Sequence, residues 1–296
     1  MNRELIREAK EFIEKTQMSA SAFANSIGYS PAALSQWLNF AYKGKVDKLE
    51  SMVRSRIDSY SEKAEQKAEK KDFLNTSVSG KIFEIADYCR LENEIGVIYG
   101  DAGLGKTYTV KKYVEANPSC ILIEADLGYT SKVLFVELCR MLKLDSHGPI
   151  HNLFEDVVAR LSGTDRMIVI DEAEHLPYKA LELIRRVHDK AGIGILLVGM
   201  PQLIGNLRGK RGEFAQLYSR IGAKGALCPL LKEDTRMFVK NALPASNGIY
   251  STFHEVSKGN TRVLTKLIKR AVRMAEINSM EITEGLVIEA GKTLLI

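Results

Sequence analysis

No apolar run in this sequence approaches the roughly 20 residues that a membrane-spanning helix needs, so a spanning helix is excluded. Cysteine is scarce and scattered: Cys89, Cys120, Cys139 and Cys228 form no C-x-x-C pair and no metal-ligand spacing. That excludes a zinc ribbon and a disulfide scaffold, and the four are expected in the core as reduced thiols. The opening segment MNRELIREAKEF is a charged amphipathic helix and lacks the apolar stretch of a signal peptide. The expectation is a soluble protein of the cytoplasm. Charge of one sign is also limited. The net charge of +5 permits a nucleic-acid partner without requiring one.

What is present is a chain of 296 residues, 45% of them hydrophobic, enough for about two domains with a sizeable core. Residues 1–60 are helical in pattern and hold the only tryptophan. The stretch SEKAEQKAEKKD, from Ser61 to Asp72, alternates in charge and contains no large apolar residue. Such runs are solvated helices or linkers, and a charged linker is expected over 61–77. From 78 to 231 helical segments alternate with short apolar strands at 95–100, 120–125, 166–171, 193–199 and 226–230. That order implies an α/β domain with a parallel sheet covered on both faces. Residues 232–296 read as three or four helices, a small lid.

Gly100-Asp101-Ala102-Gly103-Leu104-Gly105-Lys106-Thr107 matches G-x-x-x-x-G-K-[ST] at every fixed position. An apolar strand precedes it and a helix begins at Thr107. In that setting backbone N–H groups and the helix N-terminus surround phosphate oxygens. The whole loop, with Tyr108 after it, is expected to bind a nucleotide: Lys106 reaches the β- and γ-phosphates, and the Thr107 hydroxyl binds Mg²⁺. No N-K-x-D guanine-reading motif occurs, which favours ATP over GTP.

A second signal lies in Ile168-Val169-Ile170-Asp171-Glu172, an apolar strand ending in two acids. Alone it is weak, but downstream of a P-loop it becomes strong. Asp171 is expected to hold the Mg²⁺ shell, and Glu172 to polarise a water for in-line attack. Cations complete such a site, because the transition state spreads negative charge over its oxygens. Arg220, in Leu217-Tyr218-Ser219-Arg220-Ile221, suits an arginine finger offered to a neighbouring subunit. Arg262, in Gly259-Asn260-Thr261-Arg262, opens a lid helix and reaches back toward the nucleotide. Taken singly, either arginine reads equally well as a surface ion pair.

P-loop, DE-ending strand, further apolar strand, S-R element and G-x-x-R lid motif follow one another in the order found in AAA+ ATPases. The chain resembles them over residues 80–296. Within that superfamily it is similar to the target-selecting ATPases of DNA transposition, of the phage Mu transposition protein B type. The likeness rests on Ile170-Asp171-Glu172-Ala173-Glu174-His175-Leu176, on Leu217–Ile221, and on a small helix-turn-helix domain ahead of a compact ATPase. The resemblance implies ATP and Mg²⁺ as ligands, a homo-oligomer (ring or helical filament) on double-stranded target DNA, and delivery of that DNA to a cognate transposase in a bacterial cell. Hydrolysis then releases the DNA. One departure stands out. The fourth strand ends Val198-Gly199-Met200-Pro201-Gln202, where such ATPases place a polar sensor residue, and Gln202 is the nearest polar side chain.

Residues 20–38, ASAFANSIGYSPAALSQWL, carry the spacing of a helix-turn-helix: Ala24 in the first helix, Gly28 in the turn, Leu34 and Trp37 in the second. A helical hairpin that binds no DNA has the same pattern. The second helix exposes Gln36 and Asn39, which suit base edges, but no basic residue. Phosphate contacts then fall to Lys43, Lys45 and Lys48, which points to weak, poorly specific binding. In the ATPase domain Lys132, Arg185, Arg186, Arg208, Lys210 and Arg211 are candidates for a DNA path, each on its own an ordinary solvated charge. A secretion or replication-loading ATPase, and an ATP-controlled transcriptional regulator, remain open as alternatives.

Overall fold

The computed structural model describes residues 1–68, 73–209, 218–244 and 248–294, with side chains throughout these except at 61–68. Two units divide the chain, Met1–Asp72 and Phe73–Ile296.

In the first unit α1 spans Arg3–Thr16, α2 Ala20–Ser26, α3 Pro31–Leu38 and α4 Val46–Ala68. Each short helix begins where its sequence supplies a cap. The Asn2 side chain accepts from the Glu4 and Leu5 N–H groups, Ser19 from Ala22, and Ser30 from Ala33 with Pro31 behind it. Gly28 has φ +74, which lets the chain turn between α2 and α3. Phe23, Ala24, Leu34 and Trp37 are fully buried with Leu49 and Val53. The Trp37 indole N–H donates to Glu50 at 3.2 Å, so its polar end is satisfied inside that core. α4 continues as helix into the charged run as far as Ala68.

The second unit opens with α5, Ser77–Glu92, followed by β1 Ile95–Tyr99, α6 Lys106–Ala116, β2 Cys120–Glu124, α7 Ser131–Met141, α8 Ile150–Leu161 and β3 Met167–Asp171. A 3₁₀ turn at Ala173–His175 leads to α9 Tyr178–Ala191, β4 Gly194–Gly199, α10 Gln202–Arg208 and β5 Ile221–Ala226. Among the described residues four helices follow: α11 Lys232–Ala242, α12 Tyr250–Ser257, α13 Thr261–Ile277 and α14 Glu284–Lys292. The strands form one parallel sheet in the order β2-β3-β4-β1-β5.

The sheet is buried on both faces, which is why its inner strands read as unbroken apolar runs. Val97, Ile168, Ile170, Ile195 and Leu197 point to a core shared with α7, α8 and α9. Their alternates Ile98, Met167, Val169, Leu196 and Val198 point to the opposite core, with α5, α6 and the four C-terminal helices.

The fifth strand lies at Ile221–Ala226, not at the expected 226–230. Its sequence IGAKGA is glycine-rich and half-exposed, as suits an edge strand held by backbone bonds to β1 rather than by an apolar face. The apolar residues that suggested a strand come just after it. Leu227 gives its N–H to the Tyr99 carbonyl at 2.8 Å, and Leu230 gives its own to Gly259 at 2.8 Å. Cys89, Cys120 and Cys139 are buried free thiols, whereas Cys228 is exposed, again because it lies beyond the sheet's edge. Among the described residues no helix is long and apolar enough to cross a membrane.

Candidate nucleotide site

The carboxyl ends of β1, β3 and β4 lie side by side, and in open parallel sheets that is where ligands bind. From the end of β1 the chain runs through Gly100–Gly105 into α6. Gly103 has φ +84 and Gly105 φ +90, conformations that side chains with a Cβ rarely adopt. Gly105 caps α6 without a side-chain hydrogen bond, so the helix presents its first N–H groups unblocked. This cradle fits phosphate.

Lys106 Nζ donates to the carbonyls of Gly100 at 2.6 Å and Asp101 at 2.8 Å, with Met200 Sδ at 3.8 Å. Burial holds its pKa below the usual lysine range, with Arg262 adding to the effect, while Glu174, Asp171 and Asp101 oppose it. Asp171, at the end of β3, is 2% exposed. Burial raises its pKa, against hydrogen bonds from the Thr107 hydroxyl and the Glu172 N–H. The Thr107 hydroxyl thus acts on the Asp171 carboxylate, the other residue expected to hold Mg²⁺. One carboxylate and one hydroxyl match the sparse protein ligation that Mg²⁺ takes beside phosphate.

Glu172 follows with φ +53, a left-handed conformation that turns its side chain away from the strand. Its N–H donates to Asp171 Oδ1 at 2.9 Å, and its half-exposed carboxylate lies 3.6 Å from His175 Nε2. Its side chain is exposed, with His175 as its neighbour.

The C-terminal helices grip the loop directly. Asn260 caps α13, its Oδ1 accepting from the Arg262 and Val263 N–H groups at 3.1 Å each, while its Nδ2 donates to the Ala102 carbonyl at 2.8 Å. The Arg262 N–H also donates to Gly103 O at 3.0 Å, and Thr261 Oγ1 to Leu104 O at 3.3 Å. Between loop and helix lies a pocket of about 280 Å³ lined by Ala102, Gly103, Asn260, Arg262, Val263, Lys266 and Leu294. Arg262 thus lies beside the loop as the motif order suggested. Asn260 and Thr261 were not singled out in the sequence, although their place in the same G-N-T-R stretch was a usable signal. Tyr108 is exposed on α6, its ring 6.1 Å from that of Phe73.

The remaining expected residues divide. Arg220 is exposed and its Nε lies 3.4 Å from Asp189 on α9. Arg185 corrects the sequence reading: it is 9% exposed, with its guanidinium paired to Glu182 at 2.6 Å and to Asp189. It faces inward from α9 as part of an ion-pair network and is not open to DNA. Its neighbour Arg186 is exposed, with Glu182 at 3.9 Å. Lys132 is exposed in the first turn of α7. Arg208 stacks over Tyr218 at 4.7 Å and donates to its hydroxyl at 2.9 Å. Gln36, Asn39, Lys43, Lys45 and Lys48 are all exposed in the first unit, with Asn39 Nδ2 turned back to the Ser35 carbonyl at 2.9 Å. Lys210 and Arg211 lie outside the described residues. Gln202 sits exposed at the start of α10, whereas the neighbouring Gly199 is buried against Glu174, an acid that the sequence reading gave no role.

Comparison with known proteins agrees with this geometry. The AAA domain family matches residues 90–207. The chain is 27% identical to the Mu-like prophage FluMu DNA transposition protein B of Haemophilus influenzae, over 78% of this chain and 83% of that one. It is 26% identical to the ATP-dependent target DNA activator B of Escherichia phage Mu, over 77% of this chain and 74% of that one. In fold it is similar to the Aeropyrum pernix ORC2 protein, with TM-score 0.57 at 18% identity, over 76% of this chain and 70% of that one. Residues 90–207 thus match the AAA domain family, in a chain similar over about three quarters of its length to the transposition B proteins of Mu and a Mu-like prophage.

Proposed function

We propose that this protein is an ATP-hydrolysing, DNA-binding ATPase that assembles on target DNA with little sequence preference and presents that DNA to a transposase. The observation that carries the enzymatic half is the loop that enters α6 through Gly103 and Gly105 at positive φ, at the same end of the sheet as the buried Asp171 that closes β3. The names of the relatives support the DNA half, since one is called a target DNA activator and another a DNA transposition protein.

In this reading the loop N–H groups and the α6 N-terminus bind the triphosphate, and Lys106 exchanges its two carbonyl partners for the β- and γ-phosphates. Asp171 and Thr107 would hold Mg²⁺, which would supply positive charge against the phosphates. Glu172 accepts a proton from the attacking water. Arg262, tied to Gly103 through its backbone, reports the state of the loop to the lid. Arg220 leaves Asp189 to complete the site of a neighbouring subunit, so turnover depends on assembly and is stimulated by DNA.

We assign residues 1–60 to DNA contact, 61–77 to a linker, 78–231 to the ATPase core and 232–296 to the lid. Gln36, Asn39, Lys43, Lys45, Lys132, Arg186 and Arg208 are the described contact candidates. The host cell's cytoplasm is the expected site of action. Binding to random-sequence duplex, with and without ATP and Mg²⁺, tests the reading. ATP-stimulated and sequence-tolerant binding that weakens as salt rises is expected. A preferred site, or binding indifferent to ATP, would overturn it.

A further inference from the structure

The 3₁₀ turn after β3 buries Glu174, which is 8% exposed. Its Oε2 is a buried side-chain atom without a hydrogen-bond partner among the described residues. A buried polar atom left unpaired costs free energy, so its retention calls for a reason. Anchoring the turn is not that reason. Asn206 Nδ2 holds the turn through the Glu174 backbone carbonyl at 2.9 Å, without using the carboxylate.

Where the carboxylate points is informative. A Cβ built on Gly199 would collide with Glu174 Oε2. Gly199 closes β4, between the strand ending in Asp171 and the strand that feeds the P-loop, and its carbonyl accepts from Gly100 N–H at 3.2 Å. The next residue, Met200, touches Lys106 Nζ through its sulfur at 3.8 Å. Met200 thus links the end of β4, where Glu174 Oε2 lies, to the Lys106 ammonium. The end of β4 thus carries no polar side chain of its own, and the volume such a side chain would fill holds a carboxylate from the adjacent turn.

We propose that Glu174 is a positioning residue of the nucleotide site, orienting the Lys106 ammonium toward the γ-phosphate from the space that Gly199 leaves open. The inference deepens the ATP-hydrolysing reading above and rests on it. Glu174 and Gly199 form a matched pair: the acid needs the glycine's missing side chain. The negative charge also repels the triphosphate. Removing it therefore impairs orientation in the transition state without impairing ground-state binding.

The test measures ATP turnover of the full-length protein with random-sequence duplex, the dissociation constant of a fluorescent ATP analogue, and thermal unfolding. Glu174→Gln is expected to lower kcat about 10-fold and Glu174→Ala about 100-fold, the scale of a misplaced catalytic group. Both should bind the analogue at least as tightly as wild type and unfold at a similar temperature. Gly199→Ser alone collides with Glu174. Combined with Glu174→Ala it places a hydroxyl in the vacated space, and turnover should recover at least several-fold over Glu174→Ala. Wild-type turnover in Glu174→Gln, parallel loss of turnover and analogue affinity, or no gain in the double variant each overturns the assignment. Analogue binding by wild type, lost in Lys106→Ala, checks the underlying reading separately; its failure would remove that reading and this inference with it.

Discussion

Replacing Asn260 by alanine breaks three hydrogen bonds, one of which holds the lid on the P-loop. Two of them cap α13, from the Arg262 and Val263 N–H groups at 3.1 Å each, and losing a cap of this kind costs about 1 kcal/mol. The third runs from Nδ2 to the Ala102 carbonyl at 2.8 Å, and a solvent-accessible neutral bond contributes about 0.5–1 kcal/mol. Together the loss is about 1.5–2 kcal/mol, a fall of roughly 3–8 °C in melting temperature for a domain of this size. Asn260→Asp separates the two roles. The carboxylate still caps α13, favourably placed at a helix N-terminus, but it has no donor for Ala102 and brings negative charge to the phosphate cradle. Its melting temperature should lie between those of wild type and Asn260→Ala, while its ATP affinity falls about tenfold. Far-UV circular dichroism follows both units. Fluorescence of the only tryptophan, Trp37, follows the first unit alone and provides an internal control. An alanine variant melting within a degree of wild type, or an aspartate variant with unchanged ATP affinity, would refute the lid–loop connection.

Arg220→Ala and Glu172→Gln should each be inactive alone, yet mixtures shown to co-assemble should regain turnover if Arg220 acts across a subunit boundary; no recovery would leave Arg220 with its Asp189 pairing as a structural role. Arg185→Ala removes one partner of a buried ion-pair network and should lower stability by on the order of 3 kcal/mol in a urea titration, with DNA affinity of the folded protein unchanged. A drop in DNA affinity at full folding would restore Arg185 to the DNA path. Of the four cysteines, Cys228 alone should react quickly with a thiol reagent in the native protein. Burial pushes the Cys89 thiol up to about 12, leaving only about 10⁻⁴ of it as thiolate at pH 8. Denaturant should expose all four, and fast native reaction of two or more thiols would contradict the packing around α5, β2 and α7.

The features legible in the sequence are those whose chemistry is local. A phosphate loop needs two glycines, a lysine and a hydroxyl at fixed spacing, and all of them lie within Gly100–Thr107. Inner parallel strands are apolar on both faces, so β1, β3 and β4 announced themselves, the edge strand β2 did so through its apolar run Cys120–Ile123, and Gly28 marked the turn between α2 and α3. β5 did not, because its sequence IGAKGA carries no apolar run and only backbone pairing to β1 defines it. Nor could spacing tell that Arg185 faces inward while Arg186 faces out, since that depends on Asp189 one helical turn away and on where α9 packs. The sharpest case is the site itself. Asn260 meets Ala102 across 158 residues of sequence, and Glu174 fills the space at Gly199 only because β3 and β4 are neighbours in the sheet. Residue types and spacing determined which phosphate chemistry the chain carries. The packing of strands and helices far apart in sequence decided which side chains stand around it, because the burial and pairing of a charge depend on neighbours that the local pattern does not contain.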